Sequence, residues 1–198
     1  MDATTMRLAR AEATAENFRA IIGLIDGAAA WLRSKNTDQW AKPWPDRGQR
    51  DARIEKGLRG GKTWIMWDGR IPVATVTIAK QANPAVWSPA AYDLAEPAVY
   101  IHRLVTARSH AGWGLGGQLI DWAGRTAAEQ YGARSIRIDV WTDNLALHDY
   151  YHKRDFEFAG YCPDPGYPSG ALFEKPVSAI EDRTRPLLWQ PPDTAWLA

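Results

Sequence analysis

The chain has 198 residues, 45% of them hydrophobic, and 24 Lys and Arg set against 23 Asp and Glu, a formal net charge of +1. That length suits one domain over residues 1–182 with a sizeable core, and the near-neutral balance leaves no basic excess to grip a phosphate backbone, so nucleic acid is not favoured as a partner. Cys162 stands alone, the N-terminus lacks a secretory apolar run, and the longest apolar stretch, Ile21 to Leu32, falls short of the roughly 20 residues of a membrane span; a cytoplasmic protein with no membrane partner is expected.

Phe18, Ile21, Ile22, Ile25, Ala29 and Leu32 recur at three- and four-residue steps, which predicts an amphipathic helix over Ala15 to Arg33 with Thr14 as its cap. The proline-bearing run Ser34 to Gly48 reads as a loop, and Gln49 to Leu58 as a short second helix. Thr63 to Trp67, the turn Asp68-Gly69-Arg70 and the run from Ile71 to Ala79 form a hairpin signal. A polar loop follows from Gln81 to Pro97, and Ala98 to Thr106 is a strand. Leu115, Leu119, Trp122, Ala123, Thr126, Ala127 and Tyr131 share one helical face, which Gly132 is placed to end. Ser135 to Trp141 alternates as a strand, and Asn144 to Lys153 reads as a helix capped by Thr142 or Asp143. Phe156 to Cys162 and Ala171 to Val177 close the sheet around a turn-rich segment, and residues 183–198 form a proline-containing arm. The class is α/β, a mixed sheet with helices packed on it, in which Val99 to Trp141 is the clear strand-helix-strand unit.

Between that unit's strand and helix lie four glycines in six positions: Gly112, Gly114, Gly116 and Gly117, with Trp113 and Leu115 between them. Glycines there let backbone N–H groups approach a ligand at the positive end of a helix dipole, an anion site suited to a phosphate; a tight helix-on-sheet turn is the plainer reading of the same residues. Gly112, Gly114 and Gly117 also satisfy a dinucleotide pattern, but about six residues separate them from the strand and no further βαβ units follow. A P-loop would need Gly-Lys-Ser or Gly-Lys-Thr where this chain has Gly-Gly-Gln.

The run Ala111-Gly112-Trp113-Gly114-Leu115-Gly116 resembles the glycine motif of the GNAT superfamily of N-acetyltransferases, with Ala111 and Trp113 in place of the usual polar or basic residues. A second mark of that family follows at matching spacing in Asn144, Tyr151 and Asp155-Phe156, where Asp155 replaces a glycine. The resemblance covers roughly Val99 to Phe156. It implies a GNAT-like fold, a central mixed sheet of about six to seven strands flanked by about four helices, and acetyl-CoA as co-substrate. It also implies that the amides of Gly112, Trp113, Gly114, Leu115, Gly116 and Gly117 hold the pyrophosphate, with Arg108 or His110 supplying positive charge. Leu104 and Val105 would run beside the pantetheine arm near a bulge and offer an oxyanion donor, with Asn144 and Tyr151 lining the same ligand.

Acetyl transfer to an amine needs a neutral nucleophile, a donor for the oxyanion and an acid for the departing thiolate. By resemblance Tyr151 is the acid; a core aromatic is its plainer reading, and a helix cap is that of Asn144. His102 titrates in the range that suits a base, with Glu96 or a water chain as alternatives and a sheet-buried structural histidine as the bland one. His148 and His152 are expected to face solvent, and no cluster has metal-ligand spacing, so no metal is expected. Trp64, Trp67, Trp122 and Trp141 suit a core, whereas Trp31, Trp40 and Trp44 fall where the family forms its acceptor cleft, able to stack on a flat or cationic amine or to pack as a small satellite core. The leading expectation is an acetyl-CoA-dependent N-acetyltransferase acting on a small-molecule amine, with a homodimer left open. The alternatives are an acetyltransferase acting on a protein, a peptide or aminoacyl-tRNA, and a non-catalytic CoA-binding sensor module.

Overall fold

Thr14 caps the first helix as its sequence predicts, its side chain accepting from the Asn17 backbone N–H at 3.2 Å, and the helix runs Ala15–Arg33 (α1). In this computed structural model, which describes residues 6–88 and 92–180, the elements are β1 Met6–Arg10, α1, α2 Arg47–Arg59, β2 Thr63–Asp68, β3 Ile71–Ala79, β4 Ala98–Thr106, α3 Leu115–Tyr131, β5 Ser135–Val140, α4 Leu145–His152, β6 Glu157–Tyr161 and β7 Ala171–Pro176. The arm expected over residues 183–198 lies outside the described residues. The seven strands form one mixed sheet in the order β1-β2-β3-β4-β5-β7-β6. The described chain divides into two compact units, one reaching Thr77 and including Arg103–Gln118, the other made of Ile78–His102 and the residues from Leu119 on.

In the first unit, Ile21, Leu24 and Ile25 of α1 pack with Ile54 and Leu58 of α2, Ile65 of β2 and Val105 of β4. Each such aliphatic side chain contributes about 1.5–3 kcal/mol by leaving water. Asp46 caps α2 by accepting from the Gln49 N–H at 2.8 Å, which starts the helix two residues before the expected Gln49. Gly57 lets α2 lie close on the hairpin, since a Cβ there would meet the Thr63 hydroxyl at 2.9 Å. The hairpin turns at Gly69, with φ +58, and β1 pairs antiparallel with β2 from Met6↔Asp68 to Arg10↔Trp64, a strand the sequence reading did not contain.

In the second unit, β4 and β5 run parallel, Ala98↔Ser135 to Ile101↔Ile138, and β5 pairs antiparallel with β7, which separates it from β6. Ile136 and Ile138 alternate with Ser135, Arg137 and Asp139, so one face of β5 is apolar and the other polar, although Arg137 is only 2% exposed. Arg137 is satisfied by Glu174 at 3.0 Å, Glu96 at 3.5 Å and the Tyr100 hydroxyl at 3.1 Å. Gly132, with φ +60, ends α3 as expected.

Candidate active site

The glycine loop belongs to the first unit. Residues Arg108–His110 form a 3-10 turn, and Gly112 and Gly114 then take φ +84 and +72, the left-handed region that costs other residues about 1–2 kcal/mol. Among the described residues, Trp113 N–H donates to the His110 carbonyl at 3.3 Å, and Gln118 N–H to that of Gly114 at 3.1 Å. The N–H groups of Gly112, Gly114, Leu115, Gly116 and Gly117 have no such partner there. These are the orphan donors of a helix start together with those of the loop leading into it, and buried or bound they demand an acceptor. Among the described residues, chain neighbours aside, no atom lies within 4 Å of where a Cβ on Gly112 would stand, and only Gln118 Nε2, at 3.6 Å, approaches that of Gly114. The open cradle with its unspent donors fits a pyrophosphate.

His110 pins this loop instead of facing a ligand. Its Nε2 lies 3.1 Å from Asp68 Oδ2 at the hairpin turn, its Nδ1 lies 2.9 Å from the Ser109 hydroxyl, and its ring packs edge-on to Trp113 at 4.9 Å. Both ring nitrogens have partners, and Arg108 lies two residues before His110 in the same 3-10 turn. Its guanidinium stacks on Trp31, 3.9 Å from the ring centroid, with Lys35 Nζ 5.8 Å from the same ring. Trp31 therefore serves as a platform for Arg108. Trp40 packs on the first unit's core, while Trp44 is 37% exposed and carries the Arg53 guanidinium over its ring.

Leu104 and Val105 follow Arg103, which stands at φ +51 inside β4. A left-handed residue in mid-strand interrupts the regular alternation of a pleated strand. The Val105 side chain is buried in the first unit's core, and Leu104 is half-buried.

The second unit holds the other candidates. Asn144 is the cap of α4, accepting from the Leu147 N–H at 3.1 Å, which bears out its plainer reading as a helix cap and displaces Thr142 and Asp143 from that place. Asp155 takes φ +61, the conformation a glycine would supply. Tyr151 is 4% exposed, its ring 5.3 Å from those of Tyr150 and Phe156, and among the described residues its hydroxyl makes no hydrogen bond. Burial above all, with the neighbouring Tyr150 and the Asp139 charge, pushes the phenol well above its ordinary value and outweighs Arg154, which pulls the other way. The phenol stays protonated throughout the neutral range.

His102 Nδ1 lies 3.3 Å from Asp139 Oδ1, and the Tyr167 hydroxyl donates to Asp139 Oδ2 at 2.8 Å. Burial pushes the Asp139 carboxyl up, but the hydrogen bonds and charge from His102 and Tyr167 more than reverse this and hold it below the usual carboxylate range. Sequence reasoning missed Asp139 and Tyr167. The available signal was a polar residue at every second position of a strand otherwise suited to a sheet centre. Glu96 spends its carboxylate on Arg137 and Arg134, and six extended residues put it about 20 Å along the chain from His102. His152 is exposed as expected, with its Nδ1 3.1 Å from the Phe156 carbonyl, whereas His148 is half-buried with its Nε2 2.9 Å from the Trp141 carbonyl; each ring packs on Phe173.

The sequence pattern of the acetyltransferase (GNAT) family matches residues 27–156. The uncharacterized N-acetyltransferase YesJ of Bacillus subtilis is 31% identical over 166 residues, spanning 83% of this chain and 87% of that protein. A crystal structure of a GNAT-family acetyltransferase from Listeria monocytogenes superposes with a TM-score of 0.64 at 20% identity, over 85% of this chain and 93% of the other. The PaiA N-acetyltransferase of Thermoplasma acidophilum, solved in complex with coenzyme A, gives 0.64 at 12% identity, over 87% of this chain and 99% of its own. The two structures agree in fold, the pattern and the relative agree in sequence, and the chain belongs to the GNAT family of acetyltransferases.

Proposed function

We propose that this protein transfers the acetyl group of acetyl-CoA to the amine of a small molecule, in the cytoplasm, by direct attack while both substrates are bound. The observation that carries the donor assignment is the glycine loop, with five backbone N–H groups lacking a partner among the described residues and two left-handed glycines leaving an open cradle. An anion with several acceptor oxygens matches those donors. Arg108, held on Trp31, adds cationic charge for the phosphates.

The chemistry is assigned residue by residue. His102 Nε2 removes a proton from the acceptor's ammonium, whose ordinary pKa is near 10.4. The freed amine attacks the thioester carbonyl, and a backbone N–H around Leu104 or Val105 donates to the oxyanion. Collapse breaks the C–S bond; the Tyr151 phenol gives its proton to the thiolate, and the remaining proton on nitrogen, released as the amide forms, restores the phenol. The balance is one acetylated amine, one free thiol and one proton passed by His102 to solvent. Trp44, exposed beside Arg53, is the most exposed of the three tryptophans expected to line the acceptor cleft. The lack of any basic excess on the chain supports a small acceptor over aminoacyl-tRNA. Among the described residues no helix is long and apolar enough to cross a membrane.

Two measurements test this: calorimetric titration with coenzyme A, and thiol release from acetyl-CoA across a panel of primary amines. Binding with amine-dependent release is expected. No binding refutes the donor assignment, and binding without release in any amine moves the protein to the CoA-binding sensor reading.

A further inference from the structure

Asp139 is a carboxylate on a central strand with only 9% of its side chain exposed, and neither of its oxygens is left over. Oδ1 faces His102 Nδ1 at 3.3 Å, and Oδ2 accepts the Tyr167 hydroxyl at 2.8 Å. Three elements converge on this one group: β4 through His102, β5 through Asp139, and the turn between β6 and β7 through Tyr167. An unpaired buried carboxylate is strongly disfavoured, so such a residue persists where its partners are fixed. The His102 side chain is 28% exposed. The imidazole is therefore anchored on its Nδ1 side, with exposed surface left for a ligand.

We propose that Asp139 and Tyr167 are positioning residues for acetyl transfer, holding His102 in the tautomer with its proton on Nδ1 so that Nε2 is free to accept one. The inference rests on the assignment of His102 as base. A neutral imidazole carries one N–H and one bare nitrogen, and a carboxylate beside Nδ1 decides which is which, because it accepts hydrogen bonds and cannot donate them. When Nε2 takes the acceptor's proton, the ring becomes an imidazolium whose charge faces Asp139 across that same 3.3 Å. The proton stays on the histidine, and Asp139 remains ionised throughout. Tyr167 holds the second oxygen, so the carboxylate cannot swing away from the ring. Its turn is itself fixed, the Tyr167 backbone N–H donating to the Asp164 carbonyl at 3.1 Å. Among the described residues of this unit, the titratable groups acting on the pair include Tyr167, bonded to Asp139, and the Tyr151 phenol of α4, which feels the Asp139 charge.

The test uses the whole chain. Nitrogen-15 NMR of the histidine rings reads the tautomer with no acceptor present, and kcat/KM is measured by thiol release with the fastest primary amine of the panel. In wild type the neutral His102 ring is expected to carry its proton on Nδ1. Asp139→Asn places an amide where its N–H can donate to Nδ1, which drives the proton to Nε2. The expected loss in kcat/KM is about 10²-fold or more, with acceptor KM and coenzyme A affinity changed by less than about 3-fold. That loss should shrink as pH rises toward the amine's own pKa, where the acceptor arrives already neutral, and it should not add to that of His102→Gln. Tyr167→Phe keeps the ring, loosens the carboxylate and should cost about 3- to 10-fold with KM unchanged; it carries the test if Asp139→Asn does not fold. A wild-type ring protonated on Nε2 overturns the proposal. So do wild-type rates in Asp139→Asn or Tyr167→Phe when His102→Gln is slow, a result that leaves His102 as base and removes only the positioning role. Wild-type rates in His102→Gln as well would instead remove the base assignment itself.

Discussion

Replacing Gly114 with Ala separates two roles of the glycine loop, because the surrounding space is known. The new Cβ would meet only Gln118 Nε2, at 3.6 Å, an ordinary contact with the end of a flexible side chain. The free protein then pays only for a non-glycine residue at φ +72, about 1–2 kcal/mol, or a fall in Tm of about 2–8 °C for a chain of this size. Coenzyme A meets a different obstacle, since the methyl group takes the space of a phosphate oxygen and pushes it off at least one charge-assisted hydrogen bond. At about 1.5–3 kcal/mol per such bond, Kd should rise about 10- to 150-fold. Gly132 supplies the control, with φ +60 and nothing within 4 Å of its would-be Cβ, at the far end of α3. Gly132→Ala should lose the same stability and leave Kd alone. Scanning fluorimetry and calorimetric titration on the two variants give the comparison, and equal coenzyme A affinity in both would refute the phosphate cradle.

Tyr151→Phe removes a hydroxyl that has no hydrogen bond among the described residues, so Tm should hold while kcat falls about 10²- to 10⁴-fold and coenzyme A affinity stays within a few-fold; steady-state kinetics with a saturating donor checks it. Asp139 has a depressed carboxyl, and a depressed acid stabilises the fold above its unfolded value, near 3.9, and loses that contribution as pH falls through its lower folded value. The Tm advantage of wild type over Asp139→Asn should therefore be full near pH 6 and shrink steadily below about pH 4, in melts recorded across that range. Trp44→Ala should raise acceptor KM without lowering Tm, whereas Trp40→Ala should lower Tm because that ring packs on the first unit's core; paired kinetics and melting curves distinguish the two.

The bounds of helix α1 were legible because capping and period agree there: Thr14 accepts from Asn17, and the apolar positions at three- and four-residue steps pack, joined by Leu24, which that set did not include. Where three capping candidates adjoin, local chemistry does not choose. Thr142, Asp143 and Asn144 are all good caps, and the bond from Leu147 to Asn144 settles the order. Strand β1 was invisible because five residues, with Leu8 alone fully buried, present no alternation to count, and the strand exists through pairing with β2. The glycine loop was legible because its conformations are written in residue type. Asp139 and Tyr167 were not, because 28 residues separate them and only the folded sheet places them on one carboxylate. His110 shows the same limit: its neighbours in sequence suggested a phosphate, and Asp68, brought by the hairpin, claims it instead.

Arg103 inverts the usual ranking of residues within a strand. Elsewhere in β4 a β-branched side chain is favoured, since it packs well on a pleated surface. At φ +51 the same branching crowds the backbone most, and Gly, Asn or Asp fits best. Over generations of sequence drift, position 103 would accept the residues that strand propensity ranks lowest and discard Val and Ile, which it ranks highest. One backbone angle thus leaves a mark that reads as turn chemistry embedded in strand text.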